Sequence, residues 1–158
     1  MCIRDRAMTA VWIAVAVVVT VLAAWAYNTA QRLNRLHIRL DRSRDALQAA
    51  LDRRCAVIAA IYPELRSAAE DAEHVRMTPQ DIHTRLTQEE QLSAQVAERI
   101  AGKEAPGALS DADIRVELAT RFYDDAVADT RALRLRPSVS ILRLGGTAAL
   151  PQFARGDR

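Results

Sequence analysis

The run TAVWIAVAVVVTVLAAWAY, Thr9 to Tyr27, decides how the rest of the chain is read. It contains no charge, no Gly and no Pro, and its length is close to the roughly 20 apolar residues that bilayer hydrocarbon requires. Trp12 lies near one end, with Trp25 and Tyr27 at the other, where amphipathic rings suit the two headgroup layers. Nothing breaks the chain between this run and the polar helical pattern that begins at Gln31-Arg32-Leu33. The expectation is an all-α protein whose N-terminal transmembrane helix continues into an antiparallel bundle of three long helices. Residues 9–27 form the span, 28–137 the bundle and 138–158 an irregular tail.

The flanks of the span carry its topology. Arg32, Arg35, Arg39, Arg42 and Arg44 follow it, against Arg4 and Arg6 before it, and short flanks rich in Arg are retained in the cytoplasm. The expected arrangement is a single-pass cell-membrane protein with its N-terminus outside and its C-terminal domain cytoplasmic. Residues 1–8 form a short flank; MCIRDRA suits neither span nor bundle, and Met8 offers a second start. Ala24-Trp25-Ala26 also satisfies the small-x-small rule for signal cleavage, which leaves an exported envelope protein as the alternative. Against cleavage stand an apolar run longer than a typical signal core, and arginines directly behind the site. Cys2 and Cys55 provide no disulfide framework.

Beyond the span, Leu33, Leu36, Leu40, Leu47, Leu51, Ile58, Ile61, Leu65, Ala69 and Ala72 recur at helical spacing, so one long stripe faces a core. Cys55 fills a seam position as a small buried side chain. Pro63 removes a backbone donor and disfavours helix at Tyr62, which predicts a kink there. Thr78-Pro79-Gln80-Asp81 reads as a cap followed by proline at the first helical position, with Ile82, Leu86, Ser93 or Leu92, Val96 and Ile100 as the buried stripe and Gly102 as the stop. A loop over 102–109 precedes a helix opening at Ser110-Asp111-Ala112-Asp113. Its expected buried face is Ile114, Leu118, Phe122, Val127 or Ala126, and Leu133, and Pro137 ends it. The tail is expected to pack back through Leu142, Leu144 and Phe153.

Three pieces in this order resemble the LemA family of bacterial membrane-anchored helical proteins, in its shorter actinobacterial type. They are the span followed by AQRLNRLHIRLDRSRDALQAALDRR, the segment RFYDDAVADTRALRLRP, and a short LRLGG…LPQF tail. The family's first-helix motif maps onto Asn34, Leu36 and Arg53-Arg54. Its last-helix motif maps onto Arg121, Phe122, Tyr123, Asp124, Ala126, Val127 and Pro137. The sequence departs from the family pattern at Val57–Ile61, where VIAAI replaces a proline-containing segment, and at Asp124, which replaces an asparagine. The resemblance implies a long-helix antiparallel bundle on a membrane anchor.

Polar residues concentrate at Arg121, Tyr123, Asp124, Asp125 and Asp129, with Arg121–Asp125 and Asp125–Asp129 one helical turn apart. Paired carboxylates perform acid–base work only in a cleft with shifted pKa values, so an enzyme at this patch would require such a pocket. The alternative is interhelical pairing with Arg53 or Arg54 that fixes helix register. Glu70, His74 and His83 lack the compact spacing of a metal site, and no Gly-rich phosphate loop is present. These patterns assign no catalytic residue, metal or cofactor.

Charge is uneven along the chain. From Arg32 to Arg54 there are seven Arg against three Asp, and from Glu64 to Glu104 nine acids against five bases. A uniform basic footprint for nucleic acid is absent. The basic run beside the span suits anionic lipid. The expected partners are therefore the bilayer and an unidentified protein, and an exposed Ala-rich seam permits homo-oligomers. The expected function is a non-catalytic, membrane-anchored scaffold or interaction protein of the cell envelope.

Overall fold

The computed structural model describes residues 2–79, 81–135 and 150–155. Helix α1 runs unbroken over Cys2–Ile61 and is followed by a 3-10 turn at Pro63–Leu65. Helices α2 (Arg66–His74), α3 (His83–Ile100) and α4 (Gly107–Arg134) complete the described residues, which contain no strand. The all-helical class and the long N-terminal apolar helix agree with expectation. The division beyond Ile61 does not, because the first soluble helix is two helices rather than one.

Within α1 the apolar stretch is uncovered, and none of its membrane-length window is buried. Thr20, the one hydroxyl in its interior, donates to the Ala16 carbonyl at 2.8 Å, so that side chain presents no unsatisfied donor. Farther along the same helix the stripe turns inward: Leu36 and Leu40 are half-buried, and Leu47, Leu51, Cys55 and Ile58 are buried.

Pro63 does more than kink the chain. Tyr62 takes φ −121° and ψ 83°, outside the helical region, and α1 ends one residue earlier. The physical reason lies in what α2 covers. By turning back, it lays Ala69 and Ala72 into a cluster with Cys55, Ile58, Leu92, Val96 and Leu109. A helix merely kinked there would carry those positions past the end of its cover.

The start of α3 also differs, falling at His83 rather than Pro79. Thr78 and Asp81 exchange backbone hydrogen bonds of 3.0 and 3.2 Å. The Asp81 carboxylate then accepts the Thr84 N–H at 3.0 Å and the Thr84 hydroxyl at 2.6 Å. Asp81 thus provides the N-terminal acceptor expected of Thr78. These bonds, the Thr84 hydroxyl foremost, hold its pKa below the ordinary 3.8. At the other end of α3, Ala101 (φ 41°) and Gly102 (φ 80°) both enter the left-handed region.

Helix α4 begins at Gly107, earlier than expected, because Pro106 sets its entry and the Leu109 N–H already bonds the Pro106 carbonyl at 2.9 Å. It runs beside α1 in the opposite direction, with Arg54 meeting Asp113 near one end and Arg39 meeting Asp129 near the other. The buried face is Leu109, Ala112, Tyr123, Ala126, Val127, Thr130 and Leu133. Ile114, Leu118 and Phe122, expected inside, are exposed, Phe122 by 56%. Two stripes of helical spacing lie side by side on α4. The helix buries the one containing Ala112, Ala119 and Ala126, whose small side chains let it lie close to α1.

A second apolar cluster, nearer the span, contains Leu47, Leu51, Met77, Ile82, Tyr123 and Val127, with Phe153 packed against it. Phe153 therefore packs back as expected, whereas Leu142, Leu144 and Pro137 lie outside the described residues.

Candidate functional site

Between the two apolar clusters lies a polar layer. Arg85 on α3 is fully buried. Its guanidinium stands 2.8 Å from Glu89 and 3.0 Å from Asp52 of α1, and it donates to the carbonyls of Ala72 and, at 3.4 Å, Val75 at the end of α2. The Ala72 carbonyl also accepts the Val75 N–H at 3.2 Å, and Arg85 adds a second donor at this helix end, so one cation caps α2 while pairing with α1 and α3. The Asp52 approach is out of hydrogen-bonding alignment, and Arg85 Nε has no partner among the described residues.

Glu89 joins this layer to α4. One of its oxygens faces Arg85 and accepts the Cys55 thiol at 3.1 Å; the other accepts from Arg54 at 3.2 Å. Arg54 Nε in turn donates to Asp113 on α4 at 2.6 Å. A chain of alternating charge, Asp52–Arg85–Glu89–Arg54–Asp113, thus links α1, α3 and α4. Burial pushes the Cys55 pKa up to about 12, reinforced by the Glu89 charge and hydrogen bond and opposed by Arg85 and Arg54. At neutral pH this sulfur is a protonated thiol, a poor nucleophile.

The sequence motifs separate into three surroundings. Arg54 pairs interhelically, but with Glu89 and Asp113 rather than with Asp124, Asp125 or Asp129. Arg53 is exposed and lines a shallow groove with Ala49, Leu118 and Phe122. Arg121 bonds Glu117 at 2.6 Å on the surface of its own helix. Tyr123 is buried, donates its hydroxyl to the Gln152 carbonyl at 3.1 Å, and has its pKa raised chiefly by that burial. Asp124 accepts the Ala154 N–H at 2.8 Å, while Asp125 is exposed. Asp129 pairs with Arg39 at 2.7 Å. Tyr123 and Asp124 therefore hold the tail, assisted by Arg131, which donates to the Pro151 carbonyl and stacks over Phe153 at 4.6 Å. The carboxylates do not converge on a common cleft.

Arg85 and Glu89 belong to neither motif and carry little signal in the sequence. The signal was an Arg–Glu pair one turn apart on α3, identical in form to many solvated surface pairs. Only its alignment with Ile82, Leu92 and Val96 on the inward face distinguishes it.

At the other end of the molecule, Trp12, Trp25 and Tyr27 are exposed on α1, as are Asn34, Arg32 and Arg35; Leu36 is half-buried beside Ala132 and Leu133. A cavity of about 250 Å³ opens between this part of α1 and α4, lined by His37, Leu40, Arg44, Tyr123, Thr130 and Pro151. No group of His, Cys, Asp and Glu suited to a metal occurs among the described residues. Comparison of the chain with family models, curated proteins and solved structures finds no match.

Proposed function

We propose that the chain is a non-catalytic, membrane-anchored interaction protein of the LemA type, with its N-terminus outside and its antiparallel helical bundle in the cytoplasm. One observation carries the reading. A single helix is uncovered over Thr9–Tyr27 and buried against α2 and α4 farther along, so the apolar stretch does not serve the protein's own core. Its composition is that of a membrane span, and the arginines behind it support a cytoplasmic bundle. An interaction role draws support from the uncovered Ile114, Leu118 and Phe122 on α4, because exposed apolar stripes mark surfaces that meet other molecules.

A C-terminal fusion to paired reporters, one active only in the cytoplasm and one only outside, tests the reading together with alkaline extraction of membranes. A cytoplasmic signal from a full-length, extraction-resistant band is expected. An external signal from a shortened band would instead establish the exported, cleaved form.

A further inference from the structure

We propose that the shallow groove between α1 and α4 is a docking site for an acidic amphipathic helix of another protein, which rests on the interaction role proposed above and gives it a partner class. The groove holds about 330 Å³. Its floor is made of small side chains, Ala46, Ala49 and Ala50 on α1 and Ala119 on α4. Leu118 and Phe122 stand beside that floor, 52% and 56% exposed and one helical turn apart. Alanines let a third helix approach the α1–α4 seam closely, and the two larger side chains offer it an apolar anchor.

Charge selects the occupant. Arg53 and Arg115 line the same groove, both are exposed, and neither enters an ion pair among the described residues. The Arg54–Asp113 and Arg39–Asp129 pairs fix the antiparallel register, which sets Arg53 level with about Arg115 and Ala46 level with about Phe122. Two cations therefore face each other across one end of an apolar trough, and among the described residues no carboxylate lines it. The acids nearest in sequence do not answer them: Asp111 makes no ion pair among the described residues, and Asp113 is taken by Arg54. Like charges held across a groove disfavour each other and favour a carboxylate placed between them. From Ala46 to Arg53 the trough runs about 10 Å, or two helical turns. A helix with an apolar stripe of that length, ending on Asp or Glu, matches both the floor and the charge.

Other occupants match less well. On the anchored reading Ala46 stands about 28 Å beyond Tyr27, past a headgroup layer of about 6 Å and the roughly 8 Å reach of its field, so lipid does not fill the groove. A second copy laid into the same groove by a two-fold contact adds two more arginines and no carboxylate from the lining. The described part of the tail runs along the flank of α4 that carries Asp124 and Arg131.

The test uses the full chain in phosphatidylcholine nanodiscs, with empty discs as the blank, and two fluorescein-labelled peptides of about 18 residues, long enough to hold a helix in water. Both carry leucines at alternating three- and four-residue spacing; glutamates flank the stripe in one and lysines in the other. Anisotropy titration is expected to show saturable binding of the glutamate peptide alone. Arg53→Gln and Arg115→Gln should each weaken it about two- to fivefold, the range of an exposed ion pair, and Leu118→Asp should abolish it. Arg53→Glu combined with Arg115→Glu should transfer binding to the lysine peptide, a gain that an unfolded variant does not produce. Equal binding of both peptides, or none by the glutamate peptide at millimolar concentration, would overturn the proposal. So would a disulfide through Leu118→Cys that joins two copies and blocks the peptide. The topology fusion separates this outcome from the anchored reading. A cytoplasmic, uncleaved chain that ignores the peptide keeps the anchor and loses the groove, whereas an external, cleaved chain that binds it keeps the groove and loses the cytoplasmic arrangement.

Discussion

Arg85 shows how much one residue can hold. With no exposure to solvent, it faces two carboxylates and two helix-end carbonyls. Removing one partner of a buried pair leaves the other charge desolvated and uncompensated, which costs about 3–5 kcal/mol. Arg85→Leu is expected to lower stability by that amount in denaturant melts of the full chain, and Arg54→Ala to lower the melting temperature. Arg85→Leu with Glu89→Leu should recover part of the loss, because the double substitution removes the orphaned carboxylate as well. Equal losses in the single and double variants would mean that the two side chains do not act as a pair. Sequence alone conveyed Cys55 as buried and Arg54 as interhelical, but not the partners of either. Partner choice depends on how far α3 is rotated about its axis, and that is settled by packing rather than by local spacing.

The same cluster sets a pH dependence. The Cys55 pKa rises in the fold from 9.0 to about 12, so the folded state holds this proton more tightly than the unfolded chain. The associated stability is complete below pH 9 and is lost as pH rises through 12. Denaturant midpoints measured across the alkaline range should show a decline that Cys55→Ala lacks. With its pKa pushed this far up, Cys55 in the folded Cys2→Ser protein should be alkylated far more slowly at pH 8 than a free cysteine.

At the scale of the elements, existence was easier to infer than boundaries. The helical stripes of α1 and α3 were legible because apolar spacing recurs over several turns. The breaks at Ile61 and His83 were not. Proline marks a disturbance without deciding between a bend and a reversal, and two oxygen-bearing residues three positions apart, Thr78 and Asp81, compete to cap the same helix. On α4 the ambiguity was between two parallel stripes, and the small-residue stripe prevailed. A paired substitution checks this. Leu109→Ala, at a position 1% exposed, should cost about 2–5 kcal/mol, whereas Leu118→Ala, at 52%, should change stability by about 0.5 kcal/mol or less. Similar losses at both sites would mean that Leu118 is covered in the protein's working state.

For the whole molecule, the anchored reading makes α1 both span and bundle strut, since one helix is apolar enough to cross a membrane at one end and buried against α2 and α4 at the other. Its apolar stretch was the clearest signal in the sequence because lipid demands length and composition rather than partners. The bundle's architecture was legible only in outline, since the turn-back of α2 depends on contacts between distant segments. The absence of a break after Tyr27 also has a mechanical meaning. From Tyr27 to Ile61 the helix extends about 51 Å. A span tilted by about 20°, an ordinary angle in a bilayer, therefore displaces the Ile61 end sideways by about 17 Å. With no hinge to absorb the angle, an inserted α1 would act as a lever whose fulcrum lies at the headgroups. On that reading, leaning towards α4 would bring the exposed Leu135 end towards the leaflet and leaning away would not, so bilayer thickness would become a direction in which the bundle points.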